Sequence, residues 1–276
     1  MELRHATHPE MIRGASTEDL RRSYLVDDLF TDDAVHAVYT HHDRIVLAGI
    51  RPVTEDVALP SFPELRTQTF LECREAGVVN VGGKGSVVAD GETFELGHGA
   101  CLYLGRGTAE VTFRSADPAE PGRFYLFSAP AHRAFPTTAV MAGEGRVREL
   151  GAAETSNRRT LNQYIHADGV RSCQVVMGVT TLHPGSMWNT MPAHTHDRRT
   201  ECYLYFDLRD DARVVHLMGL PTETRHLVVA DEQAVISPSW SVHSGFGSAS
   251  YSFVWAMAGE NQAFDDMDGF QIADMR

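Results

Sequence analysis

His194 and His196 lie two residues apart, Glu201 follows five residues later, and His243 comes about 40 residues after that. Alternate side chains of a strand share a face, so the imidazoles of His194-Thr195-His196 stand side by side. A short turn lets Glu201 open the next strand toward the same interior, and a third strand brings in His243. Three imidazoles and a carboxylate suit Zn²⁺, Fe²⁺, Mn²⁺, Co²⁺ or Ni²⁺, and they leave coordination positions for water or substrate oxygens. The His-x-His pair alone says little, because 14 histidines in 276 residues readily produce one by accident. The glutamate at fixed spacing adds weight, as does the turn-to-strand setting of the fourth donor, with Pro238 before it and Gly245 after it. His41 and His42 are different. A strand sends adjacent residues to opposite faces, and nothing nearby completes a site.

Those donors need strands to hold them, and the sequence supplies strands almost throughout. One amphipathic helix is expected over Ser16–Tyr24, with Ser16 or Thr17 as cap and Glu18-Asp19 in the first turn. Short β-branched and aromatic runs then fill residues 35–50 and 78–113, separated by glycine-rich turns, and Asp90-Gly91 is a hairpin signal. Residues 115–160 form a break, with Pro118, Pro121 and a Gly/Ala/Glu-rich stretch. The second half resumes with runs at Cys173–Met177, Cys202–Phe206, Val214–Met218, His226–Val229, Ala234–Ile236 and Tyr251–Trp255. Spacing of roughly ten residues between runs predicts an all-β chain of two antiparallel β-barrels of similar size with a few short helices. The expected division is 1–140 and 141–276, the metal donors all falling in the second part. Phe264–Gly269, acidic and turn-rich, reads as a closing loop or tail.

Composition narrows the function. The chain carries 24 basic against 37 acidic residues, a net charge of −13, with Lys84 as its single lysine. Nucleic-acid binding proteins need a basic surface, so that class is disfavoured. An anionic small molecule would have to meet a local guanidinium, for which Arg158, Arg159, Arg198, Arg199 and Arg225 are the candidates. Arg199 is the first choice by position, two residues before Glu201, and the same parity points Tyr203 inward. No run approaches the roughly 18 apolar residues of a membrane span. The charged opening Met1-Glu2-Leu3-Arg4-His5 lacks the apolar core of a secretory signal. Cys73, Cys101, Cys173 and Cys202 are scattered and expected to be reduced thiols, so a cytoplasmic enzyme is expected.

His-x-His-x4-Glu with a later Pro-x4-His-x-Gly resembles the two metal motifs of the cupin β-barrel, and the two β-rich halves resemble a bicupin whose first, jelly-roll barrel has lost its metal. Longer strings carry a narrower likeness: Thr155–Thr160, Trp188–Pro192, Glu223–His226, Glu232–Ser241 and Gly259–Asp268, with Asp43-Arg44-Ile45 and Gly77–Gly83 upstream. They resemble the 5-keto-4-deoxyuronate isomerase family of pectin and glycosaminoglycan breakdown. That resemblance implies one Zn²⁺ per chain on His194, His196, Glu201 and His243, a hexamer, and a small anionic sugar as substrate. It implies a ketol-isomerase that moves a carbonyl between neighbouring carbons to give 3-deoxy-D-glycero-2,5-hexodiulosonate. Such chemistry passes through an enediol or a hydride shift. The enediol route needs a base for the proton alpha to the carbonyl and positive charge for the oxyanion. Metal-bound hydroxide, Tyr203 and Glu260 are the candidates for the base, with Arg199, Arg159 and Arg225 for the substrate carboxylate. A 5-deoxyglucuronate isomerase of inositol breakdown, or an iron cupin dioxygenase, would use the same donor set. A sugar sensor would need a basic helix-turn-helix, and the sequence has no such segment.

Overall fold

A computed structural model describes residues 1–276, and its regular structure is dominated by short strands arranged in four sheets. In the first half, a seven-stranded sheet has Ile45–Ile50, Phe124–Pro130 and Arg74–Asn80 as its central strands, and a four-stranded sheet is built around Val111–Ser115 and Gly85–Ala89. The second half repeats the plan. Val176–Leu182, Ser252–Gly259 and Arg199–Phe206 are central in another seven-stranded sheet, beside a five-stranded sheet built around Val214–Leu220, His243–Gly247 and Trp188–Thr195. All strand pairs are antiparallel except Glu2–Arg4 with Val35–Thr40. The Asp90-Gly91 signal is realised as a two-residue turn joining Gly85–Ala89 to Glu92–Leu96, both turn residues at positive φ.

Alternation explains how the halves join. Along Ile45–Ile50 every residue is buried, which a one-sided sheet would not produce. Val46 and Ala48 enter the first half's own core, whereas Ile45 and Leu47 enter a second cluster. The second half behaves alike: Tyr203, Tyr205, Phe253 and Trp255 fill its own core, and Cys202, Leu204, Val254 and Ala256 enter that same second cluster. The two seven-stranded sheets therefore lie face to face over one shared apolar core of 25 residues. Gly77 lets them approach, because a Cβ there would stand 2.6 Å from Met177 Sδ and 2.9 Å from Ile165 Cδ1.

Sheet membership changes from the first half to the second between Val140 and Arg146. The N-terminal segment crosses over: Ile12, Leu20, Tyr24 and Leu25 pack in the second half's core, and Leu25–Val26 adds a strand beside Ala234–Ser237. The helix is Thr17–Tyr24, with Ser16 Oγ accepting from the Asp19 amide and the Asp19 carboxylate accepting from the Ser16 amide. No helix is long and apolar enough to cross a membrane.

Two expectations change. The run Cys173–Met177 becomes strand only from Val176, because the amides before it are spent elsewhere. Those of Cys173, Gln174 and Val175 donate to the Glu75 carboxylate at 2.7, 2.7 and 2.9 Å, and Tyr103 Oη donates to it at 2.8 Å. The second change concerns the expected break, which carries the strands Phe124–Pro130, Thr138–Val140 and Arg146–Leu150 within it and Arg159–Ile165 running out of it.

Glu75 is fully buried with no cation beside it, so those four donors are what hold its charge. Replacing it with Gln keeps the shape but turns a charged acceptor into an amide whose NH₂ faces N–H donors. Glu75→Gln is expected to cost about 3 kcal/mol, a fall in thermal midpoint of roughly 6–12 °C, read by calorimetry. An unchanged midpoint would refute the role given to this carboxylate.

Candidate metal centre

Strand register assembles the donors. His194 and His243 are directly paired across the strands Trp188–Thr195 and His243–Gly247, while Glu201 pairs with Ser237 on one side and Met257 on the other. His196 follows directly on the strand Trp188–Thr195 and opens the turn into Glu201's strand, its carbonyl accepting from the Arg199 amide at 2.9 Å. His194 Nε2 lies 3.1 Å from both His196 Nε2 and His243 Nε2, and Glu201 Oε2 lies 2.9 Å from both His196 Nε2 and His243 Nε2. All four donor atoms fall within 4.8 Å of one another. His194 is half-buried and the other three are buried.

The chemistry of this set fits a divalent cation. His196 Nδ1 sits 2.8 Å from the backbone carbonyl of Asp266, which can only accept, and 3.2 Å from Arg199 Nη2, which can only donate; the shorter contact favours the ring proton on Nδ1, which leaves a lone pair on Nε2. Burial together with the neighbouring His243 and His196 pushes His194 down to about 2, so its ring is neutral. Glu201 is held well below the usual carboxylate range: burial opposes this, but the His243 and His196 contacts outweigh it. Three imidazoles and an ionised carboxylate converging on one spot are a donor set that suits a divalent metal.

His194, His196 and Glu201 open onto a cavity of about 680 Å³, a size that suits a small ligand. Arg148 and Arg159 also line it. They share a sheet face because Arg148 pairs with Leu161 and Leu150 with Arg159. Apolar walls come from Phe253, Trp255 and Met257, and from Phe264, Met267 and Phe270 of the C-terminal segment. That segment is more than the expected tail: Asp268–Gly269 pairs with Thr195 and His194 as a short strand.

The other residues singled out from the sequence fall in different places. Tyr203 lines the cavity, its hydroxyl 3.1 Å from Thr190 Oγ1, which accepts from Asn189 Nδ2 at 2.9 Å. Burial, with Glu201 nearby, holds its phenol well above the ordinary value. Arg199 lies outside the cavity lining: it is fully buried, and its guanidinium donates to the carbonyls of Ala263 at 2.8 Å and Asp266 at 2.9 Å. Parity put Arg199 on the inner side, but the closing segment takes up its donors. Arg159 stands in the cavity instead, with one hydrogen bond to the Asn157 carbonyl and no carboxylate partner. Arg225 is tied to Glu223 and the Arg13 carbonyl, Arg198 to Asp266 and Asp268, and neither lines the cavity. Arg158 and Glu260 are exposed and outside it. Sequence reasoning missed Arg148, Thr190 and Asp265, all of which line it. Asp265 lay unremarked in the acidic run at 264–268, and Arg148 in the stretch read as a break.

Paired antiparallel sheets with a His₃Glu cage opening on a cavity define a cupin-like fold equipped to hold a divalent metal. The solved structures it resembles agree on the fold. An IolB-like protein from Salmonella typhimurium LT2 matches 79% of this chain and 84% of its own with a TM-score of 0.62 at 18% identity. Oxalate decarboxylase from Lactobacillus farciminis matches 83% and 79% with a TM-score of 0.56 at 8% identity. Residues 34–272 match the KduI/IolB family, and the chain belongs to it. It is 69% identical over 279 residues to a 4-deoxy-L-threo-5-hexosulose-uronate ketol-isomerase of Kineococcus radiotolerans, covering all of both chains. It is 51% identical over 276 residues to the protein of that name from Halalkalibacterium halodurans, again over the full length of both.

Elemental analysis of the purified protein is expected to give one divalent metal per chain. The double substitution His194→Ala/His196→Ala removes two of four donors and is expected to abolish it. Two metals per chain, or metal retained in the double variant, would overturn the assignment.

Proposed function

We propose that this protein is a zinc-dependent ketol-isomerase that converts 4-deoxy-L-threo-5-hexosulose uronate into 3-deoxy-D-glycero-2,5-hexodiulosonate in uronate breakdown. One observation carries the reading: a His₃Glu cage opens on a guanidinium-lined cavity in a chain matching ketol-isomerases of that name over its full length. We take the two halves, 1–140 and 141–276, as cupin barrels, the second holding the metal and the N-terminal segment crossing onto it. The resemblance also supports a cytoplasmic hexamer, for which light scattering should give a mass near six chains.

The substrate carries an aldehyde with a neighbouring hydroxyl at one end and a carboxylate at the other. Isomerisation removes the proton from C-2 while the aldehyde oxygen gains one, giving the enediol. The C-2 hydroxyl then loses its proton and C-1 gains one. His194, His196, Glu201 and His243 would hold a divalent cation, which would supply positive charge to stabilise the enediol. Arg159, with Arg148 beside it, holds the carboxylate through paired N–H donors. Tyr203, a neutral phenol, donates a hydrogen bond to a substrate oxygen. Asp265 is the carboxylate in the cavity with no ion-pair partner and no place among the metal donors, and it is the base in this reading, ahead of Glu260, which lies outside the cavity.

Arg159→Ala is expected to raise KM by roughly tenfold to a hundredfold with metal content intact, and Arg159→Lys to restore part of it. Asp265→Asn is expected to lower kcat by about 100-fold or more with KM within a few-fold of the parent. Chelation should abolish turnover and Zn²⁺ readdition should restore it. No conversion of this uronate by the zinc-loaded protein would defeat the reading. Conversion of 5-deoxyglucuronate in its place would move the protein to the other activity the family name allows.

A further inference from the structure

The C-terminal segment is bound to the second half from two directions. On its outer side, Arg198 Nε donates to both carboxylate oxygens of Asp266 at 2.8 Å and Nη2 to Asp268 at 2.8 Å, while Asn261 also donates to Asp266. On its inner side, the Arg199 guanidinium, fully buried, donates to the carbonyls of Ala263 and Asp266. Backbone pairing adds the Glu260 amide on the Arg198 carbonyl and the Phe270 amide on the Ala193 carbonyl at 3.2 Å. A buried guanidinium that meets carbonyls and leaves its Nε unpartnered is a costly way to fasten a tail. What it fastens touches the metal centre, because the Asp266 carbonyl accepts from both Arg199 and His196 Nδ1, and Arg199 Nη2 itself lies 3.2 Å from His196 Nδ1. The same segment walls the cavity with Phe264, Asp265, Met267 and Phe270.

We propose that residues 261–271 form a strap whose closed position sets the metal affinity, and that Arg199 is the positioning residue linking strap to ligand. With the strap closed, the Asp266 carbonyl fixes the His196 ring and keeps its proton on Nδ1, leaving Nε2 free for metal. With the strap open, the ring loses that partner, and the cavity loses one wall and Asp265 with it. Coupling of this kind is reciprocal, so bound metal must also hold the strap shut. The inference rests on the metal-binding reading of the four donors and says in addition what controls their affinity.

The test uses the full-length protein with Zn²⁺ alone, by chelator competition and by hydrogen exchange of peptides spanning 260–271. In the parent, Zn²⁺ is expected to slow strap exchange at least tenfold while leaving the 85–96 hairpin of the first half unchanged. Arg199→Met is expected to weaken Zn²⁺ binding roughly tenfold to a hundredfold, the range for loss of a partner that orients a ligand, and to remove the strap's protection. Arg198→Gln, which cuts only the outer ties, should weaken binding less and in the same direction. It also carries the test if Arg199→Met fails to fold, since a merely structural tie would leave Zn²⁺-dependent exchange of the strap untouched. Parent protein that binds Zn²⁺ while its strap exchanges equally fast with and without it overturns the proposal, as does affinity within twofold of the parent in both folded variants. Parent protein that binds no Zn²⁺ overturns the metal-binding reading itself.

Discussion

Burial of the central strands on both faces is the constraint on which everything else here depends. An antiparallel sheet usually keeps one face in water, and its residues then alternate between apolar and polar. Here both seven-stranded sheets are covered on both sides, so each central strand serves two cores at once, odd positions one and even positions the other. A one-residue slip along Arg199–Phe206 would exchange Glu201 and Tyr203 with Cys202 and Leu204, turning a metal donor into the dry interface between halves. The register that keeps leucine in the shared core is thus the register that aims the carboxylate at the three histidines.

Within that frame the metal centre is a problem in electrostatics that the chain solves locally. Four donor groups are brought together largely out of water, where a cation would satisfy them at once. The rings stay in place because they are held from behind. His196 rests on the Asp266 carbonyl, and His243 Nδ1 lies 3.4 Å from Ser237 Oγ on a neighbouring strand. The first half contributes from the opposite face of the sheet. Asp43 accepts from both the amide and the hydroxyl of Thr200, fixing the backbone immediately before Glu201.

How much of this the sequence discloses depends on the range of the interaction. Local signals read cleanly: the Ser16–Asp19 cap, the Asp90-Gly91 turn and the His-x-His-x4-Glu spacing each involve residues a few positions apart. Parity on the strand after His196 correctly turned Tyr203 inward. Parity could not say where the Arg199 guanidinium ends, because its partners are carbonyls more than 60 residues away. The same limit concealed the start of the strand at Val176, which is set by Glu75 from the other half. The strand Arg159–Ile165 escaped notice because Asn162 and Gln163, though buried, break its apolar run with polar side chains.

The half that brings together no metal donors has a further significance. A half without a metal-binding cluster would ordinarily be free to accumulate substitutions so long as it folded. This one is not, because Ile45, Leu47, Tyr125 and Phe127 are as much the packing surface of the second half as of their own. Tolerance to change should therefore differ between neighbours on a single strand: Val46 and Ala48 answer only to the first half's interior, and Ile45 and Leu47 answer to both. In evolutionary terms, the first half serves as a mould against which the half carrying the His₃Glu cluster keeps its shape, and neither could be discarded without recasting the other.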